Sequence, residues 1–419
     1  MIVNSDLHIH GLYSGATSEK MTPRVIAQQA PLKGLDIVGT GDILNRKWER
    51  RLREELIVRE DGFEYENGTF FLLQAEVEDL RRVHHIIIFP SLSKVEEVRE
   101  RIGNKGNLDS DGRPKLRMEA PEIADVAISA GCLIGPSHAF TPWTAIFKEY
   151  NSVRECYADL SDKVSFIELG LSADTDMADR ISELHRFSFL TNSDAHSPWP
   201  NKLGREFNVF SVEEKSFDEV RMAIQMNKGR RSLMNVGLDP REGKYHKTRC
   251  IGCKIFFDLA DAVSHKWRCP ICNSVIKKGV ADRINELADL KRPIHPEFRP
   301  KYVHIIPLSE IIAISFSVKN VYSSRVQSIW KNFVERFGSE INVLINAEID
   351  QLMEIDEKVG EMIKLFRDNK FSYIPGGGGV YGIPVPPGKK AEIKIWRNGK
   401  IERVRLDIDN FQRKLGEFV

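Results

Sequence analysis

Asp6-Leu7-His8-Ile9-His10 closes the first strand-like run of this chain, and Asn192-Ser193-Asp194-Ala195-His196 closes a much later one. Side chains alternate along an extended segment, so His-x-His and Asp-x-His each place two potential metal ligands on one face. A mixed histidine and carboxylate set suits catalytic zinc, manganese or iron better than structural zinc. The two framing pairs therefore point to a metal-dependent hydrolase.

Between and around them one theme repeats. Apolar runs near Ile2–Leu7, Leu35–Val38, Phe70–Val77, Val83–Phe89, Cys132–Gly135, Ser165–Leu169, Phe187–Leu190 and Phe207–Phe210 end in polar residues. Helical patterns intervene near Pro23–Lys33, Val95–Ile102, Ala120–Ala130, Asp176–Arg186 and Phe217–Lys228. Alternating strands and helices imply an α/β fold with a parallel sheet. Polar residues collected at strand C-termini suggest a barrel with its active face there.

Five further positions fit the same chemistry: Asp42, Glu76, His84, His85 and His138, each beside a strand-like run. Singly each has a bland reading, since a lone histidine is more often a surface or core residue and Asp42 alone could cap a helix. Jointly they read as one metal centre. His84 and His85 cannot both point inward from a regular strand, so one is the ligand and the sequence does not say which. Glu76, midway through the set, is the expected bridging carboxylate.

Asp6–His10, Thr40-Gly41-Asp42, Ala75-Glu76-Val77, Val83-His84-His85, Ser137-His138 and Ser193–His196 together resemble the polymerase-and-histidinol-phosphatase (PHP) family. The resemblance implies a distorted (β/α)7 barrel over residues 1–237 that holds two or three catalytic divalent metals (Zn2+, Mg2+ or Mn2+) and cleaves phosphoesters with metal-activated water. It assigns the chemistry to Asp194, Glu76, His8 and His10, and metal binding also to Asp42, His84 or His85, His138 and His196. The family's usual histidine at Asp42 and a further one near Ala16 are absent here.

The chain has 419 residues, enough for two or three domains, and a formal net charge of +1, so no global basic excess advertises nucleic acid. That neutral total conceals a basic stretch. Residues 241–278 hold nine Lys/Arg against three acids, a local net of +6. Inside it, Cys250-Ile251-Gly252-Cys253 and Cys269-Pro270-Ile271-Cys272 have structural-zinc spacing, each pair turning two thiolates toward one tetrahedral ion. A four-cysteine module over 241–280 holding a structural Zn2+ is expected, its charge suited to a phosphate backbone or simply to solvent. Cys132 and Cys156 are left as reduced, structural thiols, which fits a cytosolic compartment. No signal-like leader and no apolar run of spanning length are present, so a cytoplasmic, non-membrane protein is expected.

After prolines 293, 296 and 300, an expected extended connection, helical patterns cover Leu308–Ala313, Ser323–Phe337 and part of Ile341–Asn369. A four-glycine loop follows at 376–379. It lacks the Lys-Ser/Thr of a P-loop, which argues against ATP and for close approach to DNA or the barrel mouth. Asn398-Gly399 signals a terminal hairpin. Residues 281–419 thus read as a mainly helical, DNA-binding C-terminal domain.

This order, with His138–Trp143, Glu168–Asp174 and Pro375–Gly382, resembles the endonuclease Q family of chiefly archaeal repair nucleases. The resemblance implies nicking of the phosphodiester 5′ of deaminated bases (uracil, hypoxanthine, xanthine) and of abasic sites, in single- or double-stranded damaged DNA. An enzyme that inspects a base must take it out of the stack. Tyr13, Phe140, Trp143 and Trp199 are candidates to stack on it, and Glu168 and Ser172 to contact it; the plainer reading of these residues is pocket wall, core or loop turn. The tail Gln412–Val419 resembles a sliding-clamp peptide (PCNA-type), with Gln412, Leu415 and Phe418 as anchors, although an ordinary amphipathic terminus reads equally well. A monomer is expected. A PHP-type small-molecule phosphatase or phosphodiesterase and a non-catalytic DNA- or clamp-binding protein are the competing readings.

Overall fold

The strand Ile2–Asp6 alternates buried and less buried positions and delivers the opening motif at its C-terminal end. In the computed structural model, which describes residues 1–110, 112–389 and 391–406, this strand lies inside an eight-stranded sheet. It pairs parallel with Ile37–Gly39 and antiparallel with Phe207–Ser211. Ile37–Gly39 continues parallel to Phe70–Leu72, and Phe207–Ser211 continues antiparallel to Arg231–Gly237. Lys301–His304 then adds parallel to Arg231–Gly237, joining a late segment to the early sheet. Gln74–Glu78, His84–Ile88 and Leu133–Pro136 form a second, antiparallel sheet. Phe166–Glu168 and Ser188–Leu190 form a third, parallel pair.

The expected parallel sheet is therefore mixed, and the single strand Phe70–Val77 is two. The antiparallel pairing of Gln74–Glu78 with His84–Ile88 has a local cause. Asp79 Oδ1 accepts from the backbone N–H groups of both Arg81 and Val83 at 2.8 Å, closing a tight turn with Arg82 at φ 66°. A turn that short can only connect antiparallel strands, because a parallel crossover needs a dozen or more residues. The expected helix Asp176–Arg186 also fails. Thr175–Ala178 makes one helical turn and Ser182–Arg186 a 3-10 segment. Between them buried Asp179 is drawn to Arg299 (Nη2–Oδ1 2.9 Å, Nε–Oδ2 3.0 Å) and to His295 Nδ1 at 2.8 Å. A tertiary ion pair thus overrides helical pattern and ties down the connection around Pro293–Pro300.

Side-chain amides stitch the third sheet to the first. Asn208 accepts from Thr191 N (3.0 Å) and donates to Thr191 O (2.9 Å) and Asn192 Oδ1 (3.0 Å). Asn192 accepts from Leu7 N at 2.9 Å and donates to Glu168 Oε1 at 2.8 Å. These buried amides replace the ladder that no strand supplies there.

Cys250 ends a strand of a five-stranded sheet completed by the terminal hairpin, with Phe256–Phe257 parallel to Ala391–Arg397, and the other three cysteines lie in turns and loop positions beside it. Asn398 and Gly399 take φ 49° and 76°, as a two-residue hairpin turn requires. The glycine run does not stand open as a phosphate loop; Gly376 pairs with Arg241 and Lys247 through backbone bonds of 2.7 and 2.9 Å. Helices Leu308–Ser315, Ser324–Phe337, Ile349–Ile355 and Glu357–Arg367 follow the connection. They are anchored to the early sheet by a fully buried pair, Lys33 Nζ to Glu340 Oε1 at 2.7 Å. Lys33 also donates to Pro200 O, and Trp330 Nε1 to Glu340 Oε2. Among the described residues no helix is long and apolar enough to cross a membrane.

The amide seam carries the first prediction. Asn208→Ala leaves several buried backbone and amide groups unpaired and is expected to cost about 3 kcal/mol. Denaturant unfolding checks this; a loss well under about 1 kcal/mol would show that the seam is not structural.

Candidate metal centre

Because three strands end at one place, their terminal side chains converge. Donor atoms of His8, His10 and Glu76 lie within 4.8 Å of one another, as do those of His10, Asp194 and His196, and those of Glu76, His84 and His138. His10 and Glu76 are each shared by two sets, so the three sets overlap. His10 Nε2 stands 3.2 Å from Asp194 Oδ1 and 3.4 Å from Glu76 Oε2. His8 Nε2 is 3.7 Å from Asp194 Oδ1 and 3.8 Å from Glu76 Oε1. His84 Nδ1 and His138 Nε2 approach Glu76 Oε1 at 3.0 and 3.1 Å.

The outer nitrogens explain why the inner ones face each other. His8 Nδ1 is held by both oxygens of Glu168 at 3.0 Å, and His10 Nδ1 by Asp42 Oδ1 at 2.9 Å. A carboxylate at Nδ1 keeps the proton there and leaves the Nε2 lone pair inward. Those two Nε2 atoms and Asp194 Oδ1 are buried and have no hydrogen-bond partner. Buried polar atoms are rarely left unpaired, and inward lone pairs on imidazole and carboxylate are what a divalent cation satisfies. The residues fit a metal centre on this ground.

The electrostatics agree. Burial opposes a charge on His8, but the Glu168 and Glu76 carboxylates push its pKa well above the ordinary imidazole value. Burial likewise opposes charge on His10, and Asp42, Asp194 and Glu76 overcome it. Burial would also raise Glu76, yet the surrounding His84 and His8 hold it well below the usual carboxylate range. The cluster is short of positive charge, which protons or cations must supply.

Asp42, His138 and Asp194 all take left-handed backbone, at φ 48°, 31° and 48°. Such strain persists where the surroundings over-determine it. For Asp194 the restraints are visible. Asp6 accepts from Ser193 N (3.0 Å), Ser193 Oγ (2.5 Å) and Gly204 N (2.9 Å), and burial pushes its carboxyl up to about 6. Arg205 donates to Ser193 O from Nε and Nη2 at 3.2 and 3.0 Å.

Several expected assignments change. His85 leaves the cluster: its Nδ1 meets Tyr157 Oη at 2.6 Å and its Nε2 meets Asp79 Oδ2 at 3.2 Å, on the opposite face of the strand from His84. Period-two alternation makes one of the pair face away. Asp42 is in none of the three donor sets; it accepts from His10 and from Gly11 N instead. Glu168 does not face an open pocket as a base contact, for it is buried against His8, His138 N and Asn192. Phe140 is core, stacked on Phe147 at 4.9 Å. Ser172 is buried, packed against Gly243. Tyr13, Trp143 and Trp199 remain exposed, with Tyr13 edge-on to Trp48 and Lys277 Nζ 3.5 Å above the Trp143 ring. Gln412, Leu415 and Phe418 lie outside the described residues.

Sequence reasoning missed Arg113, whose Nη1 is 3.2 Å from Glu76 Oε2, and the Arg205–Tyr381 contact, Nη1 to Oη at 2.9 Å. Neither sits in a patterned motif; an isolated arginine in a polar loop carries no signal.

In the second centre, Cys250, Cys253, Cys269 and Cys272 sulfurs lie within 4.8 Å of one another. The Cys250–Cys272 and Cys253–Cys269 separations of 3.4 and 3.5 Å are far too long for disulfides. A tetrahedron with zinc–sulfur bonds of about 2.3 Å has edges of about 3.8 Å, close to these. Cys132 and Cys156 are free and buried, and burial pushes the Cys132 thiol up to about 12.

A family model described as the MJ0043 C-terminal domain matches residues 307–370. Protein MJ0043 of Methanocaldococcus jannaschii is 49% identical over 250 residues, which span 58% of this chain and 31% of that protein's length. Protein YqxK of Bacillus subtilis is 30% identical over 91% of this chain and 98% of its own. Among solved structures, the lesion-specific endonuclease PfuEndoQ from Pyrococcus furiosus is 50% identical, with a TM-score of 0.87 over 93% of this chain and 96% of that one. A structure of endonuclease Q with a 27-mer duplex carrying an abasic lesion at the active site is also 50% identical, with a TM-score of 0.89 over 93% and 97%.

The two neighbouring histidines are expected to behave differently. His84→Ala should lower the divalent metal content of the histidine and carboxylate cluster. His85→Phe should keep it while costing about 1–3 kcal/mol of stability, because Tyr157 and Asp79 lose their partner. Metal analysis alongside thermal unfolding separates them; equal metal loss in both would undo the assignment. Cys250→Ser should release the cysteine-bound metal and lower the Tm, and an equally stable variant with undiminished metal would contradict a structural site.

Proposed function

The chain belongs to the endonuclease Q family, and from that premise we propose that it is a metal-dependent DNA repair endonuclease that nicks damaged strands 5′ of deaminated bases and abasic sites. The observation that carries the reading is half-identity along nearly the whole chain to an endonuclease Q holding lesion duplex at its active site, together with a donor set whose inward atoms lack partners. The first three sheets are read as a distorted (β/α)7 PHP-type barrel around that set, and the late segments as the parts that hold DNA.

His8, His10, Glu76, His84, His138, Asp194 and His196 would hold the catalytic cations. Divalent cations in such a cluster lower the pKa of a bound water and neutralise phosphate charge. This chain's own groups do the rest. Glu168 and Asp42 keep protons on the Nδ1 atoms of His8 and His10, so each ring presents Nε2. Asp6 and Arg205 hold the strained Asp194 turn from two sides. Arg113 beside Glu76 brings a cation that suits the charge developing on a phosphodiester in transit. Cleavage of the phosphorus–O3′ bond on the 5′ side of the lesion leaves a 3′-hydroxyl and a 5′-phosphate. Exposed Tyr13, Trp143 and Trp199 suit stacking on an extruded base or its neighbours. The tail around Gln412 is the proposed contact for a sliding clamp.

Labelled duplexes with uracil, hypoxanthine or an abasic site, incubated with Mg2+ or Mn2+, should be nicked once, 5′ of the lesion, while undamaged duplex stays intact. Asp194→Asn should lose about 100-fold or more in cleavage and keep DNA affinity within about tenfold. Phosphate release from a small ester with no nicking of any of the three duplexes would overturn the reading.

A further inference from the structure

Beside the Asp194–His196 turn lies a cavity of about 610 Å3 whose walls come from four separate parts of the chain, one of them Ala16–Ser18. Lys202 and Arg205 follow the metal-type turn, Lys244 stands in the cysteine module ahead of Cys250, and Tyr381 follows the glycine loop. The phenol bonds to Arg205 Nη1 at 2.9 Å. Two ammonium groups lie over its ring, Lys244 Nζ at 4.7 Å and Lys202 Nζ at 5.3 Å from the centroid.

The glycine loop explains how Lys244 and Tyr381 come together. Residues 241–247 and 376–382 run backbone against backbone. Gly376 N donates to Arg241 O at 2.7 Å, Gly379 N to Lys244 O at 3.1 Å and Gly382 N to Glu242 O at 2.8 Å. A Cβ at Gly376 would collide with the Gly243 carbonyl, and one at Gly382 with the Arg241 carbonyl. Close approach of this kind admits only glycine. The loop is thus a fastener that sets two side chains at the barrel mouth.

Three cations, Lys202, Arg205 and Lys244, meet here, against the Asp194 carboxylate in the cavity wall and Glu310 acting on Lys202. Arg205 directs its donors to Ser193 and Tyr381. Neither Lys202 nor Lys244 forms an ion pair with a carboxylate of the described residues within 4.0 Å. Burial, then the neighbouring Arg205, push the Lys202 ammonium below its usual pKa, as expected for crowded cations awaiting an anion. Ammonium groups are point-charge binders of phosphate.

Resting on the endonuclease reading, we propose that Lys202 and Lys244, gathered over the Tyr381 ring that Arg205 holds, form a cradle for one DNA backbone phosphate next to the cleaved one. Lys202 and Lys244 bind; Tyr381 is the positioning residue. The cradle exists only when the segment at 376–382 is in place, so the barrel residues alone make an incomplete site.

Binding is measured in the Asp194→Asn background with uracil duplexes in which single phosphates around the nick site are replaced by uncharged methylphosphonates. With unmodified duplex, Lys202→Ala and Lys244→Ala are each expected to reduce the slope of log affinity against log salt by about 1, while exposed Lys331→Ala leaves it unchanged. One methylphosphonate position should weaken the parent protein and not weaken Lys202→Ala/Lys244→Ala further. Tyr381→Ala should lose that position's sensitivity, and Tyr381→Phe, which keeps the ring, should retain it. Unchanged salt slopes, or methylphosphonate effects that simply add to the lysine effects at every position, overturn the cradle. Wild-type nicking of the unmodified duplex tests the endonuclease reading separately, so normal nicking with unchanged slopes removes the cradle alone.

Discussion

The centre of this protein is a crowd of converging donor atoms, among which His8 Nε2, His10 Nε2 and Asp194 Oδ1 are buried without hydrogen-bond partners. His8, His10, Glu76, His84, His138, Asp194 and His196 crowd donor atoms within a few ångströms, largely away from water. Such an arrangement is costly unless positive charge fills it. Much of the surrounding fold serves to hold that arrangement. Glu168 and Asp42 orient rings, Asp6 and Arg205 clamp the Asp194 turn, and buried Asn192 reaches from Leu7 to Glu168, linking the seam between sheets to the metal-facing histidine. The same amide seam that holds sheets together therefore also aims a ligand.

The later parts of the chain are built into this centre. The terminal hairpin completes the sheet of the cysteine module, and the glycine loop lies along the segment that leads into it. Tyr381 then reaches Arg205, which holds Ser193 beside Asp194. A continuous line of hydrogen bonds thus runs from Tyr381 to the strained Asp194 turn. Lys33–Glu340 and Asp179–Arg299 are two further buried ion pairs that cross between early and late segments. Buried pairs of this type fix geometry more than they add stability.

Some of this was legible in the residues themselves. His-x-His, Asp-x-His and the two Cys-x-x-Cys pairs show their chemistry because their spacing alone puts ligands on one face or one turn. Helix Pro23–Lys33 and hairpin Asn398-Gly399 are equally local, set by a Thr22 cap with Pro23 behind it and by a turn dipeptide. Strand alternation predicts that only one of His84 and His85 faces the cluster. It could not name His84, because that depends on where Tyr157 and Asp79 lie.

Folding in three dimensions sets where non-local charge goes. Asp42 looks like a ligand in sequence and is the partner of His10 in space; Glu168 reads in sequence as a candidate base contact and instead orients His8. Asp179 abandons a helix for Arg299, more than a hundred positions away. The glycine run, read in sequence as a loop for close backbone approach, lies backbone to backbone against residues 241–247 and carries Tyr381 to the pocket beside Asp194. Ligand types and spacings are short-range properties, written within a few residues. The partners that orient a ligand, and the cations that gather beside it, come from segments brought close only by folding, and no local pattern encodes that distance.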